Sequence, residues 1–323
     1  MSAATKILMG AAGSGGAAGF TISPSVGGVS DWVFADDGDL ILGSGSNGAA
    51  GLSYEITVSS SFSVNIDMWG GGAASGWYYT VYYPGGNGPG GGGGHTTADV
   101  VLNPGTYTLH VGGLGKSFPL QATGPSSPSR ADYRSGGCPL TWGTEGAGYS
   151  GLFKGSTVSQ STAMLIAGGG GGGGSPGFGS YGGAGGGASG GNTNGGAQGG
   201  YGGTQSAGGS PSPYNSSTAG SALSGGTSQT YGYSSLGGGG GGYYGGGGGN
   251  VGGGGGGSGY IDTSDSDITN EVTTAGSNNT PGDSSNSRRT AGGSQCSAPS
   301  SANCGAGGTA GLGYGGRIYM SAN

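Results

Sequence analysis

Charge is scarce in this sequence. Its 323 residues include eight Lys and Arg, 14 Asp and Glu, and two His, so charged side chains make up 7% and the net charge is −6. So few basic residues leave no cationic footprint of the kind that nucleic-acid binding normally shows. Three cysteines and two separated histidines give no zinc-finger spacing. No apolar run approaches the roughly 20 residues that a membrane-spanning helix needs. The opening "MSAATKILMGAAGSGG" places only "ILM" between its lysine and the next glycine. That is too short for the apolar segment of a secretory signal, so export by a cleaved signal is not expected. No stretch of useful length has helical periodicity.

What the chain has is glycine. Its 93 Gly and 13 Pro make up about a third of the sequence, a composition that usually marks low-complexity disorder when no G-X-Y period is present. Residues 168–174 and 252–257 are unbroken glycine, which excludes collagen. Yet 18 Tyr, 4 Trp and 6 Phe, with so little charge, fit poorly with a solvated tail. Glycine loses more conformational freedom on ordering than any other residue, so ordered polyglycine needs a specific arrangement. Polyproline-II-like helices packed side by side provide one. Each leaves its backbone groups free to bond laterally to its neighbours. On this reading the glycines are themselves the core.

Strand signals bracket the glycine runs. "DWVFADDGDLIL" sets two short apolar runs around Asp36, Asp37 and Gly38, a hairpin signal. From Leu52 the pattern alternates: Ile56 and Val58, then Phe62, Val64, Ile66 and Met68. "HTTADVVLNPGTYTLHVGG" predicts a hairpin, with Asn103, Pro104 and Gly105 as the turn and Tyr107, Leu109 and Val111 on one face of the return strand. "TAMLIAGGG" suits a strand buried on both faces, and "GGRIYMSAN" adds a last strand. The expected fold is mainly β with almost no α-helix. Residues 1–51 form an N-terminal segment and 52–323 a glycine-rich domain. Within that domain, 54–69, 95–112, 162–167 and 315–321 form the strand frame, 168–259 the glycine lattice and 258–304 a polar insertion.

The order of motifs resembles the glycine-rich domain that recurs in bacteriophage tail and fibre proteins. The matching pieces are residues 66–72, 100–113 and 315–321, and the likeness covers about 52–323. "MLIAGGGGGGG" and "GGGGGYYGGGGGNVGGGGGGSGYI" are also similar to the glycine-rich extracellular domain of anaplastic lymphoma kinase-type receptors. The second resemblance implies a jelly-roll-like β-sandwich frame with a bundle of polyglycine-II helices. The insertion at 258–304 and the first 51 residues match neither family.

Several residues are candidates for function. Five aromatics, Trp77, Tyr78, Tyr79, Tyr82 and Tyr83, cluster just after a strand. They either cover the frame or form an exposed platform that contacts a receptor, such as a sugar or a protein interface. Cys296 and Cys304 bracket a short polar loop and either form a local disulfide or stay free, leaving Cys138 unpaired. His95 and His110 lie in strand-like segments and are read as structural. Asp262, Asp265, Asp267 and Glu271 lack the EF-hand glycine and spacing and are read as a solvated loop rather than a calcium site. The many G-x-G-x-x-G matches have no following helix, so no dinucleotide site is expected. Nor is any catalytic assembly, metal, other cofactor or membrane insertion.

The resemblance implies a virion structural protein, a tail-fibre or tail-tip component involved in host attachment. A capsid-attached decoration and a non-viral surface or matrix protein are the alternatives. Its expected partners are other virion proteins, copies of itself, and a host-surface glycan or protein.

Overall fold

The computed structural model describes residues 51–75, 88–115, 143–174, 181–194, 198–214, 216–228, 236–289 and 313–322. It also gives the backbone of five further strands: β1 (Ile7–Leu8), β2 (Phe20–Val26), β3 (Trp32–Phe34), β4 (Leu40–Gly43) and β9 (Ser117–Phe118). The remaining strands are β5 (Leu52–Val58), β6 (Phe62–Trp69), β7 (His95–Leu102), β8 (Gly105–Val111), β10 (Gly143–Thr144), β11 (Ser150–Lys154), β12 (Ala163–Ala167), β13 (Leu236–Gly237), β14 (Tyr260–Ile261), β15 (Ile268–Thr274) and β16 (Arg317–Ala322). The fold is mainly β and the two large sheets are antiparallel throughout. No α-helix occurs among the described residues; short 3-10 turns at Gln160–Thr162 and Ser287–Arg289 are the named helical pieces.

A seven-stranded sheet has the order β1-β2-β5-β8-β11-β12-β14, and a six-stranded sheet the order β15-β7-β6-β16-β4-β3. A small third sheet joins β13, β10 and β9. Alternation along the strands places one set of side chains in a shared apolar cluster. Tyr54, Ile56 and Val58 enter it from β5, and Val64, Ile66 and Met68 from β6. Ala98, Val100 and Leu102 join from β7, and Tyr107, Leu109 and Val111 from β8. Both large sheets therefore contribute to one core.

The expected hairpin at Asn103–Gly105 does not form. β7 pairs with β6 and β15, and β8 pairs with β5 and β11, so the chain changes sheets at this turn. The segment 54–69 does the same, since β5 and β6 lie in different sheets. The reason is burial. Every second side chain on both sides of the turn is apolar, and placing the two strands in different sheets lets both apolar faces meet in the same cluster. Alternation specifies which face of a strand is buried but not which strand lies beside it. The Asp36–Gly38 signal, by contrast, does join an antiparallel pair, with Phe34 opposite Leu40 and Trp32 opposite Leu42.

Two strands from the first 51 residues, β2 and β4, pair within these sheets. Phe20 lies opposite Val58 and Ile22 opposite Ile56, while Leu42 lies opposite Ile318. β12, read as buried on both faces, is buried along its whole length. Met164, Leu165 and Ala167 join the shared core, while Ala163 and Ile166 join a second cluster with Tyr149, Phe153 and Leu223.

Beyond the strand ends the same chains run on as glycine-rich rows. β6 continues into Gly70, β8 into Gly112 and β12 into Gly168, and glycine rows lead into β7, β14 and β16. The row 168–173 shows how they bond. Gly169 and Gly172 donate to Gly241 and Gly238. Gly170 and Gly173 donate to Gly71 and Ala74, and Gly171 donates to Gly183. The carbonyls of Gly168 and Gly171 accept from Gly94 and Gly91, and those of Gly169 and Gly172 from Gly257 and Gly254. The carbonyl of Gly170 accepts from Ala147, and that of Gly173 from the Thr144 hydroxyl. One row thus meets six others; five of them recur every third residue, and the row of Gly183 is bonded once.

A strand bonds to two neighbours because its side chains occupy the other directions. With the side chains gone, all directions are open. A Cβ on Gly171 would overlap the Gly254 carbonyl, and one on Gly254 the Gly238 carbonyl. The array also takes in rows from outside 168–259, including 70–74, 91–94 and 144–147.

Candidate functional site

The outward side chains of the six-stranded sheet form a polar network. Because β6 alternates, Asn65, Asp67 and Trp69 face away from the core that holds Val64, Ile66 and Met68. Register places His95 and Arg317 on either side of Trp69, and Tyr319 opposite Asp67. The segment 275–289 lies over this face as a strap. Trp69 Nε1 donates to the Gly282 carbonyl at 3.0 Å. Arg288 donates through Nη1 to Asp67 Oδ2 at 2.7 Å and to Asn65 Oδ1, and through Nη2 to Ser321 Oγ at 3.1 Å. Its guanidinium lies 5.0 Å from the centre of the Tyr319 ring. His95 Nε2 bonds Asp67 Oδ1 at 2.8 Å, and its ring stacks on Trp69 at 4.6 Å.

Burial pushes the Asp67 carboxyl toward neutrality, but hydrogen bonds from His95 and Arg288 outweigh it and hold its pKa below the ordinary 3.8. His95 is 2% exposed and Asp67 3%. With these side chains closed off, their chemistry is that of a fastener, in which the Asp67–Arg288 ion pair and the Trp69–Gly282 hydrogen bond hold the strap on the sheet.

A second feature is open to solvent. A shallow cleft of about 230 Å³ lies where β14, β15 and the glycine rows meet. Gln205, Tyr260, Ile261, Thr263, Glu271 and Thr273 line it. Tyr260 is held against Tyr243, with parallel rings 3.9 Å apart. Burial, the nearby Asp262 and Tyr243 push the Tyr260 hydroxyl up to about 12, so it stays protonated.

The receptor-contact candidates Trp77, Tyr78, Tyr79, Tyr82 and Tyr83 lie outside the described residues, as do Cys138, Cys296 and Cys304. His110 sits in the interior, with Nδ1 2.8 Å from Ser53 Oγ and its ring stacked on Tyr149. The acidic group divides among separate partners. Asp262 accepts from Ser264, Asp265 pairs with Lys154 at 2.7 Å, and Asp267 accepts from Asn103. Part of the expected polar insertion is the edge strand β15. Sequence reasoning also passed over the exposed Tyr181, Tyr201 and Tyr214. The signal for them was a large aromatic isolated among glycine, proline and small polar residues.

No protein-family model matches the chain, and comparison with curated proteins finds none similar to it in sequence.

Proposed function

We propose that this chain is a virion structural protein, a phage tail-fibre or tail-tip component that contacts the host. The strands form a jelly-roll-like sandwich frame, and the glycine rows that continue them form a bundle of polyglycine-II helices. The observation that carries this reading is the bonding of the row 168–173 to six neighbours, five of them at a period of three residues. Three residues per turn is the repeat of polyproline-II geometry. Such a bundle is rigid without large side chains, so its connecting turns are free to vary while the scaffold stays fixed. Recognition belongs to those turns and to the aromatic segment Trp77–Tyr83. Residues 1–51 supply the contact with the particle, since β1 and β3 are the end strands of the two sheets, the position at which a neighbouring strand adds.

Antibodies against the chain are the test. In electron micrographs of the virus that encodes it, they should label the tail and block adsorption. Label confined to the capsid would favour a decoration protein, and no label on particles would end the virion reading. Particles carrying Tyr79→Ala with Tyr82→Ala should assemble normally and adsorb more weakly. Normal adsorption would make these aromatics part of the frame's cover.

A further inference from the structure

The cleft between β14 and β15 has the chemistry of a small receptor site. We propose that it binds one neutral sugar ring, the terminal residue of a host-surface glycan; this deepens the attachment reading and rests on it. Its walls come from the edges of two sheets and from a turn of the glycine array, and each is tied down. β14 is bonded to β12 and β15 to β7, while Gly259 donates to the carbonyls of Gly186 and Gly187. A site on fixed elements spends little binding energy on ordering itself.

The polar groups are placed in advance. Gln205 Nε2 donates to the Ala188 carbonyl at 2.8 Å and to the Gly259 carbonyl at 2.6 Å. Both partners only accept, so the amide orientation is determined and Oε1 remains as an acceptor. Glu271 is exposed and supplies a carboxylate able to accept from two adjacent hydroxyls. Thr263 and Thr273 add hydroxyls that donate or accept. Tyr260 and Ile261 add apolar surface to the lining, of the kind that the C–H face of a sugar ring can lie against. The volume of about 230 Å³ lies below the range of pockets for drug-sized ligands, which limits the occupant to about one ring.

Charge narrows the ligand further. Glu271 lines the cleft, Asp262 lies beside Tyr260 and the whole chain is acidic, so an anionic sugar is repelled. An ammonium group only donates, so it could pair with Glu271 and the threonine oxygens but would leave the threonine O–H groups without an acceptor on the ligand. A neutral polyol satisfies both kinds of group.

Saturation-transfer NMR on the full chain provides the test. The probes are the methyl glycosides of glucose, galactose, mannose and N-acetylglucosamine, with sialyllactose and Nα-acetyl-lysine methylamide as competitors of other chemistry. At least one neutral glycoside should bind. Its dissociation constant should rise about tenfold in Glu271→Gln, which loses a charge-assisted hydrogen bond, and rise also in Thr263→Ala. Both positions are exposed, so an unchanged thermal midpoint will certify the fold. The proposal is overturned if no neutral glycoside binds, if binding survives both substitutions, or if sialyllactose or the lysine amide binds more tightly. An adsorption assay separates it from the attachment reading. Wild-type chain that fails to block adsorption defeats attachment, whereas a Glu271→Gln, Thr263→Ala chain that blocks as well as wild type defeats only the cleft.

Discussion

Two interiors coexist in this molecule. Between the large sheets, Ile56, Ile66, Val100, Leu109 and Leu165 are withdrawn from water, and stability comes from apolar area. In the glycine array few side chains are available to bury. The backbone itself is buried, and its N–H and C=O groups are paired from row to row. The strand core tolerates changes of shape because side chains can repack. The array cannot, since its spacing is set by backbone van der Waals contact. The same chains pass from one regime to the other within a residue or two, at Trp69–Gly70, Val111–Gly112 and Ala167–Gly168. The difference teaches that loss of the Cβ, rather than any change of chain direction, is what turns a two-neighbour strand into a six-neighbour row.

The largest effect should follow from putting a side chain in the array. Gly254→Val would drive its Cβ into the Gly238 carbonyl, with backbone on every side. We expect a loss of more than about 4 kcal/mol, seen as failure to fold or a collapsed thermal midpoint. Gly155→Ala is the control. Gly155 has φ 76° and open space around its Cβ position, so only left-handed backbone strain opposes the change, about 1 kcal/mol. Equal effects at the two sites would show that close packing is not what requires glycine at 254.

Next is the strand core. Ile66→Ala, at a fully buried position, should cost about 2–5 kcal/mol by urea titration, and Ile66→Val about 1 kcal/mol. A graded response here beside an all-or-none response at 254 would sharpen the contrast. Calorimetry addresses the same contrast without mutation. Unfolding the array exposes mostly polar backbone, which lowers the heat-capacity change, so the value per residue should fall below the usual 12–15 cal/mol/K. A value within that range would mean that apolar burial dominates throughout.

The strap sits on the outer face of the strand region and should respond to pH. The Asp67 pKa is depressed in the folded chain, so its contribution is present above about 3.8 and is lost as pH falls through the lower folded value. Asp67→Asn should cost about 2 kcal/mol at neutral pH and flatten that acid limb. An unchanged acid limb would show that Asp67 does not govern it. The smallest effect belongs to Lys154→Met. Its bond to Asp265 raises the Lys154 pKa, but the side chain is half exposed. The expected change is below about 1 kcal/mol, confined to pH values beneath the raised lysine pKa.

Much of the strand content was legible because period-2 alternation follows directly from the pleat. Ile56–Val58, Val64–Met68, Val100–Leu102 and Tyr107–Val111 all point to buried faces and are buried. Their partners were not legible. The Asn103–Gly105 turn reads as a hairpin locally, and only the need to bring both apolar faces into one core sends its two strands to different sheets. β11 escaped notice because "SGLFK" is short and opens on small residues, and β15 because "ITNEVTT" is polar, as an edge strand exposed on one face is free to be. The Asp67–His95–Arg288 network was invisible for a further reason, since its members are 221 residues apart at the extremes.

The sequence by itself determined that the interior could not be built from side chains alone. With 93 glycines and few long apolar runs, only backbone-to-backbone packing could order such a chain. It also determined where that packing begins, because each strand pattern stops where glycine starts. Tertiary structure alone decided which rows meet. Glycine carries no side chain and therefore no label, so nothing in Gly171 specifies Gly91, on the row that leads into β7, as its partner. That pairing comes from the strands at the row ends, whose apolar faces have one arrangement that buries them all and so position every row that extends from them.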